Sequence, residues 1–584
     1  MHSLTNVLKR ASRTKPIPEE EEDGGLRRCL KTRDVVGLGM GVTVGAGVFM
    51  ATGKASEEAG PAVVIALLIA AFGCGCTGLC YAEMANLAPS TGSSYSFVYH
   101  SAGELPACMV GLTNIINNVM TGAAVSRGWE GYLRALLVTV GAPVPQFLEG
   151  FAFGPFEISF LAPLLLGFVI AINLCGTLAV STFNNVVTVG SITMLLIYVF
   201  GGAANVDPDN WDPFMPTGVS GVAHAAGSVF FSYIGFDVLA TLSTEATHSR
   251  VIPLGIVLTL ALSTCLYCCV GGVFTGLIKY TDISKTAPLA SAAELRGLRW
   301  LALLVAIGAL GNTLTTVIGC VLAQPRLCFA MAQDGLLPSN LVRVNRFGAP
   351  ARSLLVLSVP ALFFALVFDF HKIADVVSVG ALCIFSLVCA SLILLRCPRA
   401  LHATGGNSAG AAASHSSNDE EPVRPSMPAT RSPRRVIVGL VTFSISIFVL
   451  GILFRIPSSS TLAVWLLRGS MAVVILSAAI SVFFVCLPFL QSREDTYTWA
   501  EQTKRAHGFK LPFMPVPPLI GIMMNVLLIS QMSFLTLMEA LFLQTVAGAF
   551  YFGYSFSRSH LNVTKKTWAP VFASTVPPQE PDDL

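Results

Sequence analysis

The sequence predicts an all-α polytopic membrane protein, and three observations carry that prediction. Hydrophobic residues make up 53% of the 584 and charged residues only 12%, against about 25% charged in an ordinary soluble domain. Apolar windows of about 20 residues, the length that takes a helix through a bilayer, recur along the chain. Two of them are interrupted near the middle by glycine and polar residues. These are Gly39-Met-Gly-Val-Thr-Val-Gly-Ala-Gly47 and Phe230-Phe-Ser-Tyr-Ile-Gly-Phe-Asp237. Paired interrupted spans in corresponding halves of a membrane protein point to a ligand site between repeats.

The windows run, in order, near 35–53, 62–84, 104–126, 158–178, 184–203, 219–243, 252–277, 300–330, 352–369, 374–396, 436–454, 462–490, 514–533 and 536–556. The third and eighth carry Asn114, Asn117, Asn118 and Arg326, polar residues that a helix ringed by lipid would not bear. Fourteen windows return the chain to the side on which it starts. Residues 1–34 and 557–584 are then tails on that side. The segment 397–435 reads as a disordered linker on the same side, because its Gly, Ser, Ala and Pro cannot bury enough apolar surface to fold. About 25 of the 36 Lys and Arg residues fall on the side of the tails, and the opposite side carries Asp207-Pro-Asp-Asn-Trp-Asp212. The positive-inside rule puts both termini in the cytosol, where the acidic tail and the linker are possible docking points for cytosolic partners.

Several function classes drop out. A net charge of +3 is too small to call for nucleic acid as a partner. The cysteines lie mostly in apolar runs, and Cys265 and Cys268 have no second pair to complete a metal site, so no metal and no cofactor is expected. No nucleophile elbow, phosphate loop or His/Cys/Asp cluster occurs within the windows, which argues against an enzyme. His224 is the one histidine expected deep in a span, with a structural role.

In the first interrupted span, Gly37, Gly41 and Gly45 recur every fourth residue, a pattern of close helix contact. That pattern leaves Gly39 and Gly47 without a role, and the run of small residues at 45–47 fits an unwound segment. Free N–H groups around Ala46 and Gly47 would face a carboxylate at the start of the second half-helix. Thr43 adds a hydroxyl donor. In the second interrupted span, carbonyls released around Phe231, Ser232 and Ile234 would accept from an ammonium group. Asp237 is an ionisable residue near mid-membrane, and either contacts the ligand or caps the broken half-helix. Phe231 and Phe236 are core or gate residues.

These features sit among longer matches. Leu26-Arg-Arg-Cys-Leu30, Gly45-Ala-Gly47, Cys80-Tyr-Ala-Glu83, Gly103-Glu-Leu105, Gly235-Phe-Asp237, Ile252-Pro-Leu-Gly-Ile256, Pro325-Arg326, Ala330-Met-Ala-Gln-Asp-Gly-Leu-Leu-Pro338, Phe509-Lys-Leu-Pro-Phe513 and Tyr551-Phe-Gly-Tyr554 follow one another in order. Together they resemble the fourteen-span cationic amino acid transporters of the amino acid–polyamine–organocation superfamily. The resemblance implies a leucine-transporter-like inverted repeat, with spans 1–5 over 35–203 and spans 6–10 over 219–396, and four additional C-terminal helices over 436–556.

It also implies a substrate site between the two broken helices. Thr43, Val44, Gly45, Ala46 and Gly47 match the carboxylate-binding segment. Phe231, Ser232, Ile234, Phe236 and Asp237 match the amine-binding segment and gate. Thr315 and Thr316 match positions facing the side-chain end of the pocket, and Glu104 an acidic structural or gating position. Where proton-coupled relatives carry a lysine and a carboxylate, this chain has Ser191 and Asn117. The implied activity is uptake of arginine, lysine or ornithine through the lipid bilayer, driven by the gradient and the membrane potential. A cation gains about 2.3 kcal/mol per 100 mV, enough for roughly fifty-fold accumulation. A broader neutral amino acid or polyamine carrier and a non-transporting sensor are the alternatives. The family pattern suggests the plasma membrane, with a lysosomal or vacuolar membrane as the alternative.

Overall fold

The computed structural model describes residues 13–15, 30–45, 47–90, 92–143, 151–153, 156–174, 177–284, 287–342, 350–397, 434–455, 461–491 and 509–559. Most of the 397–435 linker and of both tails therefore lies outside the described residues. The molecule is an all-α membrane protein. Among the described residues ten helices are long and apolar enough to cross a bilayer, and three shorter apolar helices accompany them. One of the ten stretches, Thr32–Leu87, covers the first two windows. In hydrocarbon every backbone polar group must find its partner inside the segment, so apolar runs of this length fold as helices.

The first window breaks into α1 (Thr32–Thr43), a π turn at Gly47–Ala51 and α2 (Thr52–Ala59). There follow α3 (Val63–Leu87), the short α4 (Ser94–Ser101), α5 (Glu104–Val140), α6 (Leu161–Leu174) and α7 (Thr177–Ala203). The sixth window opens with α8 (Gly218–Val229) and continues as two 3-10 turns, Phe230–Tyr233 and Phe236–Glu245. Then come α9 (Val251–Leu277), α10 (Pro288–Leu295), α11 (Arg299–Gln333), α12 (Ala351–Val367) and α13 (Phe370–Arg396). The last group is α14 (Arg434–Arg455), α15 (Thr461–Gln491), α16 (Val516–Gln531) and α17 (Phe534–Phe550).

A short two-stranded hairpin interrupts the helices. Phe151–Phe153 pairs antiparallel with Phe156–Ile158, in the register Phe151 to Ile158. Aromatic and β-branched residues suit a pleated strand, and the sequence places Gly154-Pro155, a turn signal, between the two. The fourth window consequently yields a helix only from Leu161 onward.

The long helices α5 and α11 pack most extensively and form a scaffold. Against α11 lie α1 and α7, and α9 packs on α3, α1 and the second turn of the broken sixth span. The C-terminal helices are tied to the rest by buried polar contacts. Glu83, fully buried at the end of α3, pairs with Arg396 at the end of α13 and accepts from the Leu511 N–H at 2.9 Å. Glu104, at the start of α5, accepts from Tyr551 at 3.2 Å and from Ser559 at 2.9 Å. By contrast only 17% of the 469–486 window is buried, which leaves α15 facing lipid. In the acidic loop, the hydrogen bond from Arg296 holds the exposed Asp207 carboxyl below its ordinary range.

Candidate functional site

The two interrupted spans break for different local reasons and meet each other. In the first, the helix ends where the Val44 N–H bonds back to Met40 O at 2.8 Å and the Gly45 N–H to Thr43 O at 2.8 Å. A methyl group on Gly45 would fall inside the envelope of Thr316, and one on Gly47 inside that of the Ser232 backbone. In the second, Ile234 is extended (ψ 135°) and Gly235 takes φ 128°, a region that disfavours any side chain. A methyl on Gly235 would also stand 2.8 Å from Val42 Cγ1 and 3.3 Å from the Thr43 N. The non-helical segments are therefore in backbone contact at two points, and only glycine permits that approach.

A cavity of about 30 Å³ lies at this junction. Asp237, Ile234 and Gly235 line it from the sixth span, Val42 from the first, Asn114, Asn117, Asn118 and Thr121 from α5, and Thr316 and Cys320 from α11. A smaller space beside it is bounded by Thr43, Gly45, Gly47, Phe231, Ile234 and Thr316. Each space has room for ordered water.

Asp237 Oδ1 accepts from the Gly235 N–H at 3.2 Å. That bond satisfies the Gly235 N–H at the break, and Asp237 at the same time lines the cavity. No ion pair to it is formed among the described residues. Asn118 donates to the Asn114 side chain at 3.0 Å, and Asn114 to Ser94 at 3.1 Å. The α5 wall opposite the carboxylate is thus amide, with no cation in it.

The remaining residues divide. Thr43 Oγ1 and Ser232 Oγ are buried without a hydrogen-bond partner, beside the junction where a ligand would meet them. Such groups are costly when unsatisfied, which makes them notable. Thr316 bonds Gly41 O at 3.4 Å and Asn312 O at 3.0 Å while lining both spaces. Thr315 turns back onto Asn312 O at 2.8 Å and lines neither. Val44 is fully buried and lines neither space. Ala46 lies outside the described residues. Phe231 stands at the smaller space, edge-on to Phe370 with centroids 5.6 Å apart. Phe236 is fully buried and packs on Tyr81 and Phe385, as core. Ser191 donates to Gly308 O at 3.2 Å, away from the cavity, while Asn117 lines it.

The Phe231 carbonyl accepts from the Ile234 N–H at 3.2 Å, so it is already engaged. The Ser232 carbonyl is engaged too, by a residue that sequence reasoning missed. Tyr267, fully buried on α9, places its hydroxyl 2.9 Å from Ser232 O and 2.7 Å from Thr43 O. One hydroxyl thus bridges the carbonyls of both unwound segments. The only sequence signal was a tyrosine in the middle of an apolar span, where its O–H needs a partner.

His224 lies within the sixth span, on α8. Its side chain is 39% exposed, with Nδ1 2.9 Å from Glu58 Oε2 of α2. Glu58 also accepts from Ser228 at 3.1 Å. Four residues earlier on α2, Lys54 bonds both oxygens of Asp375 on α13, at 2.9 and 2.8 Å. Elsewhere in the fold, Lys15 pairs with Asp334 at 2.9 Å, and Tyr95 donates to the same carboxylate at 2.7 Å.

Comparison with known proteins agrees with this geometry. A family model described as amino acid permease matches residues 30–499, and one for the C-terminus of that family matches 509–559. Cationic amino acid transporter 4 of Mus musculus is 30% identical, the alignment covering 96% of this chain and 92% of the relative. The vacuolar cationic amino acid transporter 4 of Arabidopsis thaliana is 28% identical, with 98% of each chain covered. The branched-chain amino acid permease BcaP of Bacillus subtilis is 31% identical over 67% of this chain and 86% of its own.

Proposed function

The chain belongs to the amino acid permease family, and from that membership we propose that this membrane amino acid transporter carries cationic L-amino acids (arginine, lysine and ornithine) by alternating access. One observation carries the cationic reading. Asp237 lines the cavity between the broken helices, and no ion pair to it is formed among the described residues. A buried charge without a partner is costly, and a cationic substrate supplies the missing one. Thr43 and the backbone near Gly47 would receive the substrate carboxylate. Phe231, Ser232 and Ile234 would receive the amine, with Tyr267 ceding the Ser232 carbonyl to it. Phe231 acts as the gate, Thr316 borders the side-chain end, and Glu104 anchors the cytosolic end of α5.

The chain offers no lysine at Ser191 and no carboxylate at Asn117, which supports facilitated transport driven by the membrane potential. Both termini face the cytosol on this reading, and the plasma membrane is the site of action. A second reading, a broader carrier that includes neutral amino acids, is favoured by the likeness to BcaP.

Reconstituted protein tests these together. Labelled arginine should enter faster under an inside-negative potassium diffusion potential at equal pH, and lysine should compete far better than leucine or putrescine. With the voltage clamped, an inward proton gradient should change entry little. Equal competition by leucine would establish the broader carrier. Arginine binding without counterflow would establish a sensor.

A further inference from the structure

We propose that the corner where α1 and α9 begin is a docking site for the headgroup of an anionic phospholipid, a phosphoinositide. The chain brings these two helix starts together. Leu30 pairs with Ala246 in a single parallel bridge. Thr247 donates to the Leu30 carbonyl twice, through its N–H at 3.1 Å and its hydroxyl at 3.0 Å. One turn further on the helices touch, since a methyl on Gly255 of α9 would fall inside the envelope of Val35 of α1.

Lys31, Arg33 and Arg250 are exposed around this junction. Asp34 is the carboxylate on the first turn of α1, and it is already engaged. It accepts from the Lys31 N–H at 3.0 Å and lies 3.6 Å from Arg33 Nε. Lys31 Nζ and the Arg250 guanidinium form no ion pair among the described residues. Positive charge is therefore in excess at a place where the protein supplies no further anion for it.

The helix period sets the depth. Leu254, Val257 and Leu258 follow Arg250 by four, seven and eight positions, which puts them on its face of α9. All three are exposed, so in a membrane that face meets acyl chains. Arg250 stands one turn before the stripe, about 6 Å along the axis, where an arginine reaches the headgroup layer. A lipid would thus find its phosphate partners and its acyl wall on one helix face, which a free phosphate would not use. Arginine forks onto phosphate oxygens and lysine adds a point charge. A phosphomonoester carries up to about two negative charges, a better match to three cations than the single charge of phosphatidylserine. The bound headgroup ties the start of α1 to that of α9 and steadies the inner half of the first broken span. From the transport reading this inference takes only the cytosolic placement of the N-terminal side, the leaflet in which phosphoinositides reside.

Anisotropy of a fluorescent dioctanoyl phosphatidylinositol bisphosphate, titrated with the full-length protein in detergent, reads the site without transport or orientation. Binding should saturate. Unlabelled dioctanoyl phosphatidylserine should compete at least tenfold more weakly than the unlabelled bisphosphate lipid, and dioctanoyl phosphatidylcholine and inorganic phosphate should not compete. Soluble inositol trisphosphate, which lacks the chains, should also be at least tenfold weaker. Lys31→Gln, Arg33→Gln and Arg250→Gln should each weaken binding about fivefold, the scale of one juxtamembrane cation. Each side chain is exposed, and an unchanged lipid-free melting temperature shows that the variants fold. Arg352→Gln, which removes another exposed cation at the start of α12, should bind as the wild type does. Equal weakening by Arg352→Gln, or no weakening by the other three, would reduce the effect to general charge attraction and overturn the proposal. Absence of saturable binding overturns it too, as does equal competition by phosphatidylserine or by the soluble headgroup. None of these outcomes bears on whether arginine is carried.

Discussion

The two broken helices reach the same result by different physical means. In the first, the break is enforced by packing, because Thr316 and the Ser232 backbone occupy the space that side chains at Gly45 and Gly47 would need. In the second, the break is enforced by conformation. Gly235 holds φ 128°, and its N–H donates to the Asp237 carboxylate. The first break therefore depends on its neighbours, and the second on its own backbone. Substitutions should respond accordingly.

The largest effect is expected from Gly47→Val. A β-branched side chain would displace the Ser232 backbone and block the N–H groups offered to a substrate carboxylate. Uptake should vanish while surface labelling shows normal insertion, and an unchanged KM would mean that the two segments do not meet there. Gly235→Ala comes next. It combines an unfavourable φ, of order 1–3 kcal/mol, with a contact at 2.8 Å to Val42. A fall in uptake of tenfold or more is expected from that strain, with a lower melting temperature in detergent.

Asp237→Asn keeps the shape and the capping oxygen but removes the charge. Arginine uptake should drop about tenfold, the scale of one charge-assisted contact, while any neutral amino acid uptake is spared. Equal loss of both would assign the residue to capping alone and remove the contrast in electrostatics between the breaks. The smallest effect belongs to Gly45→Ala. The neighbour there is the end of the Thr316 side chain, which is able to rotate, so uptake should fall only severalfold. Thr316→Ala should restore part of the loss in the double variant, the coupling expected for residues in contact. Additive losses would show that the Gly45 break is conformational too.

Much of this was legible beforehand, for a physical reason. Hydropathy over twenty residues is a local property, and it locates the helices because a single apolar segment in lipid satisfies its own backbone only as a helix. Glycine and aspartate within such a run are equally local signals, so the positions of both breaks and of Asp237 could be read directly. The same signals could not distinguish Phe231, at the edge of the cavity, from Phe236 in the core, since the two flank one break.

The sequence by itself determined the membrane class, the order of the helices, the two places where the chain cannot stay helical and the acid at the second of them. Only the tertiary structure decided which groups meet. Tyr267 reaches Thr43 across 224 positions, Lys54 reaches Asp375 across 321, and Glu83 reaches Leu511 across 428. Thr316 turns to the cavity while its neighbour Thr315 bonds its own helix. Helical period and hydropathy fix where a side chain stands on its own element. The partner is fixed by how elements pack, and that depends on the shape of every surface in the bundle at once.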